Sequence, residues 1–197
     1  MSTEFQKAYH FLFNETYHMW KTDLQKIFRI GTRGNKGGCN LSSCILVLIG
    51  IESFSLFFSK KSKKKAFEEF IDKYFNDFYK GRMGKIYDLF RHGLAHNFYP
   101  KSEFNLANTS QIAFGVDEHE RVISLTRIKG NLNYFRTKCL CLDPRKGQPF
   151  IIYPQILFLD TIDVMNNLKK QTKADAKLQK EFVDNYKKVK SILRHKP

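Results

Sequence analysis

The chain is poor in acid. Its 197 residues hold 19 Asp and Glu against 34 Lys and Arg, a formal net charge of +15. Such a deficit disfavours a small neutral ligand as the main partner and points to a polyanion, nucleic acid first. A solvated lysine-rich face is the plain alternative. Cysteine is also scarce, with four residues at Cys39, Cys44, Cys139 and Cys141. The two pairs make neither a secreted disulfide framework nor a double C-x2-4-C zinc arrangement, so reduced structural thiols are expected, with a four-Cys metal site as the alternative. Long apolar runs are missing. The best, Cys44 to Ile51, is about eight residues where a spanning helix needs roughly 20, and it reads as a buried helix. Met1 to Lys26 has no continuous apolar stretch, which argues against a secretory signal and predicts a cytoplasmic protein without membrane association. The Lys-rich C-terminal segment has neither an apolar face nor a lipidation motif to change that expectation. The glycine-rich stretch Gly31 to Gly38 lacks the G-x-x-x-x-G-K-[ST] arrangement and follows a helix, so ATP binding is unsupported. There is no internal repeat.

What is present is mostly helical periodicity. Apolar residues at Phe5, Tyr9, Leu12, Phe13, Tyr17, Trp20, Leu24, Ile27 and Phe28 predict a long amphipathic helix over 5–30. Four glycines within 31–38 break it. Asn40 or Ser42 then caps a helix running to about Phe58, apolar nearly all round and therefore central. Lys60 to Lys65 carries five lysines in six residues and reads as a solvated loop before an amphipathic helix over 66–79. Gly81 and Gly84 bracket a turn into a helix over 83–97, with Ile86, Leu89, Phe90 and Leu94 as its buried stripe and Pro100 as its stop. Residues 101–153 change character. Runs at 112–116 and 122–128 around Asp117 to Glu120 read as a hairpin, and short strands at 138–142 and 150–153 complete a small antiparallel β insertion. Pro154 opens a helix with Ile156, Leu157, Leu159, Ile162, Met165 and Leu168 on its stripe, and Thr172 to Arg194 continues as a polar helix. The basic C-terminal helix, 170–197, ends a single domain spanning 1–197. A chain of this length buries about 70% of its unfolded surface.

The segment Tyr87 to Pro100 carries the chemistry. It sets Arg91 and His96 five residues apart in an otherwise apolar run, and such side chains are expensive to bury unless paired or at work. On one ideal helix they lie about 140° apart, so either the last turn unwinds or two subunits bring two pairs together across a two-fold axis. A histidine titrates near neutral pH and serves as general acid or base, and an arginine fork grips two phosphate oxygens. Those are the groups that metal-independent RNA cleavage requires.

The spacing is that of an R-x4-6-H motif with His92 as the polar residue after the arginine, and the segment resembles the signature of HEPN-domain proteins. Gly37-Gly38-Cys39-Asn40 leading into an apolar helix with Glu52 looks like the second helix of bacterial members. The resemblance covers roughly residues 5–100 plus the helices after 154. It implies a mainly α, antiparallel helical bundle and a homodimer with two Arg-His pairs in one cleft. It further implies a metal-independent endoribonuclease leaving 2′,3′-cyclic phosphate and 5′-hydroxyl ends, without a cofactor, in a toxin or antiphage defence setting. Arg91 and His96 would be catalytic, with His92, Glu52 and Asn97 supporting. RNA, tRNA among the candidates, would meet Lys60, Lys61, Lys63, Lys64 and Lys65, with Arg33 and Lys36 in the glycine-rich loop. An antitoxin or sensor protein would restrain the enzyme. Where some family members carry a tyrosine two residues after the histidine, this chain has Phe98, with Tyr99 next.

Blander readings stand beside these. Arg91 can form a structural bridge to a carboxylate, Glu52 among them, with His96 near a helix end favourable to the dipole. His92 and His96, four apart, have the spacing of two zinc ligands but lack an intervening H-E-x-x-H glutamate. Tyr74, Phe75, Phe78 and Tyr79 sit beside lysines as base-stacking side chains would, yet their spacing is mostly that of core. Two further functions remain open: a non-catalytic RNA- or nucleotide-binding module, and a helical scaffold whose basic segment docks an acidic protein.

Overall fold

The computed structural model describes residues 2–30, 40–81, 83–88, 113–114, 151–152 and 154–194. These are mainly helical. The elements are α1 (Thr3–Tyr9), a π-helical stretch (His10–Thr16), α2 (Tyr17–Ile30), α3 (Asn40–Phe58), α4 (Lys63–Tyr74), a 3-10 turn (Asp77–Tyr79), α5 (Met83–Ile86), β1 (Ala113–Phe114), β2 (Ile151–Ile152), α6 (Pro154–Ala174) and α7 (Ala176–Arg194). They divide between two compact units. The first comprises Met1–Thr22, Ile49–Lys85 and Thr161–Pro197, and the second Asp23–Leu48 and Ile86–Asp160.

In the first unit, Ser2 starts α1 by accepting the Phe5 N–H on its hydroxyl at 3.2 Å, with Glu4 in the first turn and Lys7 in the last, both favourable to the helix dipole. The helix expected over 5–30 is present, with one interruption. The Tyr17 N–H reaches back to the Leu12 carbonyl, a π-type bond, which keeps Leu12 and Tyr17 on the same buried side although five residues separate them.

The core of this unit is aromatic. Phe182 of α7, fully buried, stands 5.5 Å from Phe58, 5.9 Å from Phe57, 6.0 Å from Phe13 and 6.2 Å from Phe5, measured between ring centroids. Offset and edge contacts of this kind each add about 0.5–1.5 kcal/mol beyond burial. The cluster runs on through Phe70, Phe75 and Tyr79. Trp20 packs edge-on against Phe54 at 5.1 Å, and Gly50 leaves the room that its indole needs. The central character expected for the apolar helix is seen in the burial of Ile51, Phe54, Phe57 and Phe58.

Three boundaries in this unit differ from the sequence expectation. The helix expected over 66–79 begins three residues earlier, at Lys63, and ends at Tyr74. Phe75 is extended and the chain then makes a 3-10 turn, yet Phe75 and Tyr79 are both buried and meet edge to face at 5.6 Å. Gly81, at φ +67, supplies the left-handed turn that follows. The C-terminal helix expected to continue from the one opened by Pro154 divides at Asp175. Its carboxylate accepts the N–H groups of Lys177 at 2.8 Å and Leu178 at 3.1 Å, which is N-cap geometry, so α7 is a separate helix. α7 lies against α1, with Lys187 and Glu4 paired at 2.8 Å.

In the second unit, Phe28 and Phe158 meet at 5.2 Å among buried Leu24, Cys44, Val47, Leu48, Ile156 and Leu157. The single strand pairing among the described residues is parallel, Ala113 opposite Ile151 and Phe114 opposite Ile152, where an antiparallel insertion was expected. The hairpin expected over 112–128 and the strand at 138–142 otherwise lie outside the described residues, as do Leu89, Phe90 and Leu94 of the motif helix. At the described start of that helix, Met83, which belongs to the first unit, and Tyr87, which belongs to the second, are each buried. Among the described residues no single helix is long and apolar enough to cross a membrane.

Candidate nucleic-acid interface

The lysine run is the part of the expected site that can be placed. Lys60 and Lys61 lie in the connection after α3, and Lys63, Lys64 and Lys65 form the first turn of α4. The solvated-loop reading therefore holds only for the first half of the run. Three ammonium groups at a helix N-terminus oppose the helix dipole, each at a cost of about 0.3–1 kcal/mol, and no acidic residue in that turn offsets them. Lys63 adds backbone strain, since it is a non-glycine residue at φ +51. A left-handed conformation of this kind costs an ordinary side chain about 1–2 kcal/mol.

The connection is held by a buried serine. Ser59 donates its hydroxyl to the Glu69 carboxylate and accepts the Lys61 N–H at 3.0 Å, so the end of α3 is fastened to the middle of α4. Two of the five lysines have carboxylate partners nearby. Lys61 stands 3.9 Å from Glu69, and Lys64 stands 3.8 Å from Glu68, four residues on along the same helix face. Both pairs are largely solvated and contribute at most about 1 kcal/mol. Lys60, Lys63 and Lys65 are exposed and make no ion pair among the described residues.

Further along α4 the charge reverses. Glu68, Glu69 and Asp72 line a groove of about 720 Å³ together with Lys61, Lys65 and Lys73. Asp72 is anchored by the Gly81 N–H at 3.3 Å, and the Glu68 carboxylate occupies the space a side chain at position 84 would take. The α4 surface is thus basic at its first turn and mixed beyond. Sequence reasoning misses the acidic half, although Lys64 to Glu68 and Lys65 to Glu69 are both i, i+4 spacings that signal it.

Glu52 sits on α3, half-buried, with its main-chain carbonyl accepting the Ser55 hydroxyl at 2.6 Å. Tyr74, Phe75 and Tyr79, weighed as stacking platforms, serve the core instead: Phe75 and Tyr79 are buried, and Tyr74 packs on Phe70 and Phe58. Cys44 is buried on α3. Arg91, His92, His96, Asn97, Arg33, Lys36, Cys39, Cys139 and Cys141 lie outside the described residues. Among the described residues no three His, Cys, Asp or Glu side chains converge in a group suited to a metal ion.

Comparison with protein-family models, with curated proteins and with solved structures found no match for the chain.

Proposed function

We propose that this chain is a metal-independent endoribonuclease of the HEPN type, working as a homodimer in a toxin or defence role. The observation that carries the reading is the placement of Arg91 and His96, five residues apart with a polar neighbour at His92, in the segment that follows Gly84 and stops at Pro100. His96 exchanges the proton needed for the 2′-hydroxyl to attack the adjacent phosphorus. Arg91 holds the charge on the pentavalent intermediate, and as the P–O5′ bond breaks the 5′-oxygen takes a proton from the protonated histidine and leaves as a hydroxyl, while a 2′,3′-cyclic phosphate remains. The five exposed or half-exposed lysines of 60–65 and the net charge of +15 support an RNA substrate.

The test is cleavage of total RNA and of a tRNA pool in EDTA by the wild type and by His96→Ala, with the product ends mapped. Cleavage that yields cyclic-phosphate ends and is lost in the variant is the expected result. Equal cleavage by both proteins overturns the assignment. A second reading, an RNA-binding module without cleavage, is favoured by the lysine run, which attracts phosphate without any catalytic group. Salt-sensitive binding by an inactive wild type would select it.

A further inference from the structure

Composition makes the C-terminal helix look polar throughout, but its apolar residues are not all in the core. Phe182, Tyr186, Val189 and Leu193 recur at intervals of four, three and four, and on an ideal helix they fall within about 60° of one another. Phe182 is fully buried, and Tyr186 is half-buried against Phe57, 6.5 Å away, and Phe11, 5.8 Å away. Further along the same stripe the core ends. Val189 is half-buried, Leu193 is 59% exposed, and Ile192 beside it is 55% exposed. Lys188 and Lys190, both exposed, flank this apolar end on either side, and the Lys190 ammonium stands over the Tyr186 ring at 5.8 Å. No acidic residue lies between Asp184 and the end of α7 at Arg194. The helix dipole accounts for cations at a C-terminal end, but not for two large aliphatic side chains left in water there.

We infer that the free end of α7, with Val189, Ile192 and Leu193 as anchors and Lys188 and Lys190 as flanks, docks in an apolar groove on an acidic protein. Charge complementarity selects this occupant. A helix end laid in a groove is held by apolar residues at three- and four-residue intervals, and carboxylates on the rim of the groove meet the two lysines. A second copy of this chain does not fit, because a two-fold pairing of these ends sets lysine against lysine on a protein of net charge +15. An anionic lipid surface is disfavoured by length. Interfacial helices bury an apolar face along most of their extent, whereas here the stripe before Val189 is already taken up by the core. RNA offers phosphates to the lysines but nothing to the aliphatic pair. The inference is independent of the ribonuclease reading, since none of these residues belongs to the segment carrying Arg91 and His96.

The experiment selects a phage-displayed library of helical peptides against the whole chain. The most enriched peptides are then synthesised with a fluorescein label, and their affinities are read by anisotropy at several salt concentrations. Two variant sets are compared with the wild type, Ile192→Ser with Leu193→Ser, and Lys188→Gln with Lys190→Gln, each checked for folding by circular dichroism. Enriched peptides should be net acidic with apolar residues at helical spacing. The serine set should weaken their binding at least about tenfold, and the glutamine set should weaken it less while flattening its salt dependence. No enrichment, enrichment of neutral or basic peptides, or equal affinity for the serine set overturns the docking site. Two further probes oppose it. Self-association by sedimentation velocity that the serine set abolishes would give the face to a second copy, and binding to vesicles of anionic phospholipid that the serine set abolishes would give it to a membrane; either result also overturns the inference. None of these outcomes depends on RNA cleavage, so the docking site and the ribonuclease reading fail separately.

Discussion

The Asn185 side-chain amide donates to the main-chain carbonyl of Phe57 at 3.2 Å, and the amide is buried. Phe57 lies in the last turn of α3, where carbonyls have no partner within their own helix. A side chain 128 residues away in sequence supplies one. Asn185→Ala removes the donor and leaves a buried carbonyl unsatisfied, at a cost of about 1–3 kcal/mol. Asn185→Asp is expected to cost more, because a buried carboxylate would face that carbonyl. Urea unfolding followed by circular dichroism reads both, and an unchanged midpoint for Asn185→Ala would show that the bond adds nothing.

Phe182 is the residue on which α7 turns into the core, with four phenylalanine rings within 6.2 Å of it. Phe182→Ala opens a cavity at a fully buried site, and comparable truncations cost about 3–5 kcal/mol. The expected outcome is a molecule near or past the limit of stability, since domains hold only about 5–15 kcal/mol in total. Phe182→Leu keeps most of the volume and should lose less than half as much. A milder loss for the alanine variant would mean that α7 is peripheral.

Gly50 and Trp20 give a sharper probe, because the chain has a single tryptophan. A Cβ at position 50 would land on the indole ring. Gly50→Ala gains helix propensity worth about 1 kcal/mol, yet the ring must move aside, and overpacking of this sort costs about 1–3 kcal/mol. The net expected effect is destabilisation together with a red shift of tryptophan emission as the indole leaves its place against Phe54. Stabilisation with unchanged emission would show that the space is open.

What is legible in the sequence divides along physical lines. The apolar stripes of α2 and α6 and the all-round apolar α3 can be read because burial dictates residue type wherever a helix has an inside. The π stretch cannot, since a three-to-four residue spacing does not reveal where a turn widens from Leu12 to Tyr17. The break at Asp175 is hidden by composition: among many lysines a single aspartate reads as one more solvated charge, and only its acceptance of two N–H groups makes it a cap. Phe75 reads as helical because a buried aromatic fits the stripe whether or not its backbone is extended. Within the candidate site the lysine run is plain, but its partition by Glu68 and Glu69 depends on side-chain positions that the helical period only suggests.

Tyr17 gives a pH prediction. Burial, and after it the charge of Asp163, pushes its phenol up to about 12 from 10.0. The hydroxyl points at the Asn166 side-chain oxygen, 3.4 Å away, and the Ile162 carbonyl, 3.5 Å away, acceptors that suit the neutral form. Below pH 10 the phenol is protonated in folded and unfolded chains alike and stability does not depend on it. As pH rises from 10 towards 12 the unfolded chain ionises first, so the folded state loses stability across that window. Tyr17→Phe should remove this part of the alkaline loss while changing the neutral-pH midpoint little, which thermal melts at a series of alkaline pH values would show. Parallel alkaline profiles for the two proteins would mean that Tyr17 titrates normally.

Glu52 is where fold and proposed chemistry can be separated. Its side chain is half-buried on α3, so Glu52→Gln keeps the shape and removes a charge that water already partly screens. If the carboxylate orients Arg91 for phosphate, the glutamine variant keeps its thermal midpoint within a few degrees but cleaves about tenfold more slowly at saturating RNA, an effect of about 1.4 kcal/mol on the barrier. Glu52→Asp, which retains the charge, should recover part of that rate, whereas Arg91→Lys should not restore activity lost in Arg91→Ala, because an ammonium cannot reproduce the planar fork. A purely structural Glu52 gives the opposite pattern: the midpoint falls in both Glu52 variants and the rate per folded molecule stays at the wild-type value. Measuring kcat and the melting midpoint on the same preparations decides between them.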